Sequence, residues 1–418
     1  MNILLSDGYL PKSDIITENL KFLSQQKGSE MAKPKKNELN VQNEELRKKL
    51  RLSFIVIALL VVALCTVTIV YTNRPVQLPA PEEPMALPSG DTAETQGDPL
   101  SLWTAEAKLK TELTDYIKTV TDPQSPDFIP EDDRIAVFDM DGTILNETDP
   151  VYLDHRLLLH RVVDDPDYKD KASDFEKEVA ADIQQWIDTG KSPDGLPVRH
   201  GQAVASSFAG FTVQQFYDYV DTFKALPMPS YEGMTNGQAF YKPMLQVIDY
   251  LNANGFKVYI VSGTDRLITR ALVNGAVNIP ARQVIGSDEA FVATGQGDTD
   301  GLDYTFQDSD ELVLAGNFII KNLKMNKVDV IAQEIGAQPV LAFGNTSGDF
   351  AMAKYTTANN KYKALGFMVC CDDLDRENGN LSKAESMVKS CEENGWTPIS
   401  MKNDWTTIYG EGVTYKGK

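Results

Sequence analysis

Six consecutive residues concentrate the chemistry this chain could perform: Phe138-Asp139-Met140-Asp141-Gly142-Thr143. They follow the apolar run Ile135-Ala136-Val137-Phe138, which reads as a buried strand. Along a regular strand Asp139 and Asp141 share a face, and Gly142 permits a turn that other residues resist. Open α/β sheets bind their ligands at the carboxyl ends of strands. Two carboxylates so placed suit a metal-assisted nucleophile beside a general acid/base. The competing reading is a solvated acidic turn.

Two more polar clusters follow apolar runs. Phe256 to Val261 leads into Ser262-Gly263-Thr264-Asp265, and Pro339 to Phe343 leads into Gly344-Asn345-Thr346-Ser347-Gly348-Asp349. Strands are predicted at 134–138, 256–261, 339–343 and 364–369, with short strands and a hairpin within 283–318. Helices are predicted at 150–162, 171–189, 200–224, 243–254, 265–274, 327–335, 349–355 and 382–394. A further helix is expected from Ser101 to about Val120, with Ser101 as N-cap and an apolar stripe of Trp103, Leu109, Leu113, Tyr116 and Ile117. Strands separated by helices imply a parallel sheet with crossovers. Such a sheet would bring all three clusters to one edge. The almost wholly helical stretch 146–241 interrupts the alternation and reads as an inserted subdomain.

The order and spacing of these clusters resemble the haloacid dehalogenase-like (HAD) hydrolase superfamily. DMDGT matches its first motif, the Ser of VSGT its second, Lys327 its third and GNTSGD its fourth. The resemblance implies an α/β fold: a Rossmann-like parallel sheet core with an inserted, mostly helical cap. It implies that Asp139 attacks phosphorus to form an aspartyl phosphate. Asp141 would protonate the leaving alkoxide and then activate water, with Thr143 closing the motif. Ser262 would hydrogen-bond a phosphoryl oxygen, a role compatible with capping a helix. Lys327 would neutralise phosphoryl charge and steady Asp139; Lys321 and Lys324 compete for that place. Mg2+ would be held by the Asp139 carboxylate, the Asp141 backbone carbonyl, Asn345 and Asp349. Asn345 departs from the usual pattern, which has Asp there, so the site loses one negative charge.

The expected activity is therefore magnesium-dependent hydrolysis of a small phosphomonoester. Phosphoryl transfer to another acceptor, as in mutases of this fold, is one alternative. A non-catalytic cell-surface binding module is another, and Asn345 is its main support. Dehalogenation is disfavoured, because dehalogenating relatives lack an Asp at the position of Asp141. Cap residues that could line the pocket are Tyr152, His155, His160, Trp186, His200, Phe208, Phe211, Phe216, Tyr217 and Tyr219, although core packing is the better explanation for any one of them. An aromatic cage for a cationic head group is one use of such residues. Three His without ligand spacing do not suggest zinc.

The chain has 418 residues and a formal charge of −20, which argues against a nucleic-acid partner. The charge is uneven. Residues 1–52 hold ten Lys/Arg and seven Asp/Glu, and the remainder holds the acidic excess. Between them Ser53 to Tyr71 carries no charge, Pro or Gly. At about 1.5 Å per residue it nearly spans a hydrocarbon core. Lys33, Lys35, Lys36, Arg47, Lys48, Lys49 and Arg51 precede it, and only Arg74 follows before Lys108. The positive-inside rule puts residues 1–52 in the cytoplasm and the bulk of the chain outside.

No small-x-small site closes the apolar run, and Leu64 poorly suits a lipoprotein site at Cys65, so an uncleaved signal anchor is expected. The resulting organisation is a cytoplasmic segment 1–52, a transmembrane helix 53–71, a stalk 72–100 rich in Pro and Glu, and a HAD-like domain 101–418. The layout resembles secreted acid phosphatases and phosphorylcholine phosphatase-like members. Its partners would be a small phosphorylated substrate and a lipid bilayer. Cys370, Cys371 and Cys391 lie in the exported part, where Cys391 could bridge to Cys370 or Cys371 or all three could stay reduced.

Overall fold

The structure is a computed structural model that describes residues 97–417. The expected cytoplasmic segment 1–52 and span 53–71 lie outside the described residues, as does nearly all of the stalk. Among the described residues no helix is long and apolar enough to cross a membrane.

Helix α1 (Lys108–Thr121) buries Leu109, Leu113, Tyr116, Ile117 and Val120. It begins seven residues after Ser101, and Ala107 precedes it without a side-chain cap. The expected start at Ser101 is thus corrected: Trp103 N–H donates to Leu100 and Trp103 packs edge-on against Trp405, which holds residues 100–107 in turns. Strand β1 (Ile135–Phe138) is buried throughout, as a central parallel strand must be when both faces are covered.

The inserted region contains α2 (Leu153–Leu159), α3 (Asp174–Thr189), α4 (Leu196–Ser207), α5 (Val213–Lys224) and the short strand β2 (Tyr231–Glu232). The predicted single helix 200–224 is two helices. Gly210 takes a left-handed φ of 83° between them, and Thr212 starts α5 with a capping box to Gln215. Return to the core runs through α6 (Lys242–Ala253), β3 (Lys257–Asp265) and α7 (Arg266–Val273). The predicted hairpin is β4 (Val284–Ala293) and β5 (Leu312–Ile320), two long antiparallel strands rather than several short ones.

Then come α8 (Met325–Val330), which runs on through Ile335 as one wider turn, β6 (Leu341–Gly344), α9 (Phe350–Thr357) and β7 (Leu365–Cys370). Last are α10 (Leu381–Asn394), β8 (Thr397–Ser400), α11 (Met401–Asp404) and β9 (Thr414–Tyr415).

Seven strands form one sheet in the order β5-β4-β3-β1-β6-β7-β8, parallel except for the β4–β5 edge. The α/β class with a Rossmann-like core is as the sequence implies. β1 lies between β3 and β6, so the three polar clusters end side by side. Phe138, Phe343 and Phe367 stack across β1, β6 and β7 with centroids 4.1 and 5.0 Å apart. This apolar ladder fixes the height of the loops above it.

The insertion is stitched to the hairpin edge. Gly210 N–H donates to the Leu314 carbonyl, and Leu314 N–H donates to that of Phe211, at 2.8 and 2.9 Å. Near the C-terminus, β9 pairs with β2. Cys370, Cys371 and Cys391 are free thiols, with Cys370 and Cys391 buried.

Candidate active site

Asp139 continues the line of β1, its N–H donating to the Phe343 carbonyl at 2.9 Å. The chain then coils tightly, because the Met140 carbonyl accepts from the N–H groups of Thr143, Ile144 and Leu145. Gly142 permits the coil with a φ of 79°. A Cβ there would lie 1.8 Å from Asn345 Nδ2, so Asn345 packs directly on bare backbone. The first and fourth clusters are thus in contact.

Asp139, Asp141, Asn345 and Asp349 line one cavity of ≈ 320 Å³. Lys327 bridges two of these carboxylates. It is wholly buried, with Nζ 2.5 Å from Asp139 Oδ1 and 2.8 Å from Asp349 Oδ1. α8 is short, but it carries Lys327 to the carboxylates of the first and fourth clusters. The two carboxylates hold the Lys327 ammonium above its usual range against the cost of burial. Of the competing cations, Lys321 lines the cavity and Lys324 does not.

Asp349 uses its other oxygen to accept from the N–H groups of Asn345 and Thr346 and from the Thr346 hydroxyl. It is therefore a loop anchor and lysine partner, with little capacity left for a metal ion. Among the described residues Asn345 Oδ1 is buried and has no partner. With the Asp139 carboxylate and the carbonyl of Asp141, it gives the all-oxygen set that a hard cation such as Mg2+ accepts. The residues present fit such an ion.

The two aspartates of the first motif differ electrostatically. Burial pushes Asp139 up to about 7, Asp349 adds to this, and Lys327 opposes it. Burial pushes Asp141 well above the ordinary range, with Asp154 and Asp139 adding. Burial raises both carboxyls, but only Asp139 has a buried lysine hydrogen-bonded to it that favours its charged form, as a nucleophile beside a proton donor requires.

Where β3 leaves its ladder, between Val261 and Asp265, the chain presents Gly263 and Thr264 to the cavity. Ser262 is fully buried, its Oγ accepting the Thr264 N–H at 3.0 Å. Thr264 was not singled out from the sequence, yet its hydroxyl lies 2.8 Å from Asp141. Thr143 is buried within the coil, and its hydroxyl has no partner among the described residues.

The aromatic and histidine candidates separate into two groups. Tyr152, His155 and Trp186 line the cavity and touch one another at centroid distances of 5.4 to 5.7 Å. Phe208, Phe211 and Tyr219 instead surround Arg161, whose guanidinium lies 5.0 Å from each ring and 3.9 Å from Tyr168. This aromatic box is filled by the chain's own cation. Phe216 packs on Phe208, and His160 lies against Phe223, both within the cap. Tyr217 is half-buried on α5.

Asp154, His155 and His200 bring metal-capable atoms within 4.8 Å of one another, a grouping that sequence spacing did not reveal. The two imidazoles stack face to face, 3.9 Å apart and 1° from parallel. Lone pairs in parallel planes do not converge on one ion. His155 Nδ1 donates to Asp154 at 2.7 Å. Although burial works the other way, His200 and His155 hold Asp154 below the ordinary carboxylate range.

Similarity to known structures is distant. A functionally unknown protein from Anaerococcus prevotii is 14% identical, with 69% of this chain and 91% of that one covered and a TM-score of 0.43. Cytosolic 5'-nucleotidase IIIB bound to cytidine is 12% identical over 71% and 87% of the two chains, TM-score 0.42. A phosphoserine phosphohydrolase-like protein from Francisella tularensis is 14% identical over 61% and 99%, TM-score 0.32. A search of curated proteins finds no match. Residues 136–354, more than half of the chain, match the sequence pattern of the haloacid dehalogenase-like hydrolases. That span holds Asp139, Asp141, Ser262, Lys327, Asn345 and Asp349, and the chain belongs to that family.

Proposed function

We propose that the protein is a phosphomonoester hydrolase that works through an aspartyl-phosphate intermediate and Mg2+. The observation that carries this reading is the placement of Asp139 and Asp141 on one coil in one cavity, the first against a buried lysine and the second in surroundings that favour its proton. Asp139, held by Lys327, attacks phosphorus and expels the leaving group. Asp141 gives that group a proton and then takes one from the water that cleaves the acyl phosphate. Bound Mg2+ would offset phosphoryl charge. Asp139, the Asp141 carbonyl and Asn345 would hold it. Lys327 and Lys321 supply positive charge from this chain, and Tyr152, His155 and Trp186 wall off the leaving group.

The asymmetry of basic residues around 53–71 supports anchoring by that segment, with the hydrolase domain outside the cytoplasmic membrane. Protease accessibility in intact cells tests that placement: the domain should be cleaved, and full protection would reverse the topology.

For the chemistry, the full-length chain is assayed against a panel of small phosphomonoesters with Mg2+ and with chelator. Metal-dependent phosphate release that disappears in Asp139→Asn is the expected result. Product phosphorylated on a second alcohol would move the reading to a phosphotransferase. Substrate binding without turnover would move it to a binding module.

A further inference from the structure

Of the two lysines at the site, one is already spent. Lys327 is wholly buried and shared between Asp139 and Asp349. Lys321 lines the cavity, yet among the described residues it pairs with no carboxylate and its ammonium makes no hydrogen bond. The other two carboxylates of the cavity have donors of their own. Asp154 accepts from His155 Nδ1 at 2.7 Å, and Asp141 accepts from the Thr264 hydroxyl at 2.8 Å.

The backbone under Lys321 is fixed. It directly follows β5, and its carbonyl accepts from the Leu323 N–H at 3.0 Å and from Asn326 Nδ2 at 2.8 Å. The next residue, Asn322, is wholly buried. Its N–H donates to Ser287 Oγ and its Nδ2 to the Ser262 carbonyl, both at 3.0 Å. Lys321 is thus tied to the second cluster on one side and to α8 on the other. The bland alternative is a solvated surface lysine, but this one is half-buried on a clamped stretch. An unpaired ammonium in a sheltered cavity attracts an anion more strongly than one in open water.

The position of the charge tells which part of a substrate it meets. After burial and their nearer neighbours, Asp141, Asp154 and His200 each feel Lys321. The leading charges on Asp139 are instead those of Asp349 and Lys327. Lys321 therefore belongs to the side of the proton donor and of α2 in the cap, where the leaving group departs. A cationic head group does not suit that side. The aromatic box that could have held one is filled by Arg161.

We propose that Lys321 is a specificity residue that binds an oxyanion on the leaving group, so that the preferred substrate is a small phosphomonoester carrying a carboxylate or a second phosphate. The cavity of ≈ 320 Å³ admits only a small molecule of this kind. That the ester is hydrolysed rests on the phosphatase reading; the preference for a second anion does not.

The test compares kcat/KM of the full-length chain on three esters of similar length: 2-phosphoglycolate, ethylene glycol bisphosphate and the neutral 2-hydroxyethyl phosphate. Wild type should favour at least one anionic ester over the neutral one by about 30-fold, mainly through KM. The larger ratio tells a carboxylate from a phosphate. Lys321→Gln should bring both ratios close to one, and Lys321→Arg should keep most of the preference. A wild type without preference, or ratios unchanged in Lys321→Gln, would overturn the proposal. If wild type hydrolyses none of the three, the phosphatase reading fails and the same comparison is made by calorimetric binding. Tighter binding of an anionic ester that is lost in Lys321→Gln keeps the anion site. Equal or absent binding overturns it.

Discussion

Lys327 places its Nζ 2.5 Å from the Asp139 carboxylate, wholly shielded from solvent. It is also the partner of Asp349, so one ammonium joins the first and fourth clusters. Removing one partner from a buried ionic group leaves the rest uncompensated, a loss of roughly 3–5 kcal/mol. Lys327→Ala should lose stability of that order in denaturant titration, along with activity. A loss below about 1 kcal/mol would mean that water compensates the two carboxylates.

Asn345 offers its side-chain oxygen to the cavity without a partner. Asn345→Asp adds charge to an oxygen donor set whose charge governs cation affinity. Without Mg2+ the variant should melt lower than wild type, because a third carboxylate joins Asp139 and Asp349. With Mg2+ it should gain more, corresponding to about tenfold tighter binding. An unchanged Mg2+ response would remove Asn345 from the metal site.

Glu289, on β4, has both carboxylate oxygens buried without partners among the described residues. Burial, with Asp265 and Asp288 adding, pushes it from 4.5 up to about 9. A carboxyl raised in the folded state contributes stability below the unfolded value and loses it as pH rises through the folded one. Between pH 5 and 8 this group should therefore make stability fall with pH, at up to about 1.4 kcal/mol per unit. Glu289→Gln should flatten that slope in denaturant midpoints. An unchanged slope would show that Glu289 is compensated.

Arg161 fills the aromatic box of the cap and pairs with Asp165 at 2.7 Å. Arg161→Leu should destabilise by about 3 kcal/mol, through loss of cation–π contact and an unpaired Asp165. Hydrogen exchange should rise across α4 and α5 while β1 and β6 stay protected. Arg161→Lys should recover little, since an ammonium cannot stack as a guanidinium does. Uniform exchange across the domain would mean that the cap does not open by itself.

Much of this arrangement was legible in the sequence because its signals are local. Apolar runs marked β1, β3 and β6, and the polar residues behind them were bound to share an edge once the sheet was parallel. The rest depends on partners distant in the chain. Nothing near Thr264 announces that it meets Asp141, 123 residues earlier. β8 carries Pro398 and only four residues, so it reads as a turn until β7 supplies its ladder. The aromatic cap residues look alike in sequence, and only the position of Arg161 separates those in the cap core from those at the cavity. Ser101 resembles an N-cap, but packing of Trp103 on Trp405 overrides that propensity.

The central claim is that Asp139 becomes phosphorylated. Its most direct test is to quench the full-length chain in acid during turnover with Mg2+ and map the peptides by mass. The account predicts one added phosphoryl group on the peptide carrying Asp139, absent in Asp139→Asn together with turnover. Sustained turnover by Asp139→Asn, or turnover by wild type with no phosphorylated Asp139 at any quench time, would contradict it.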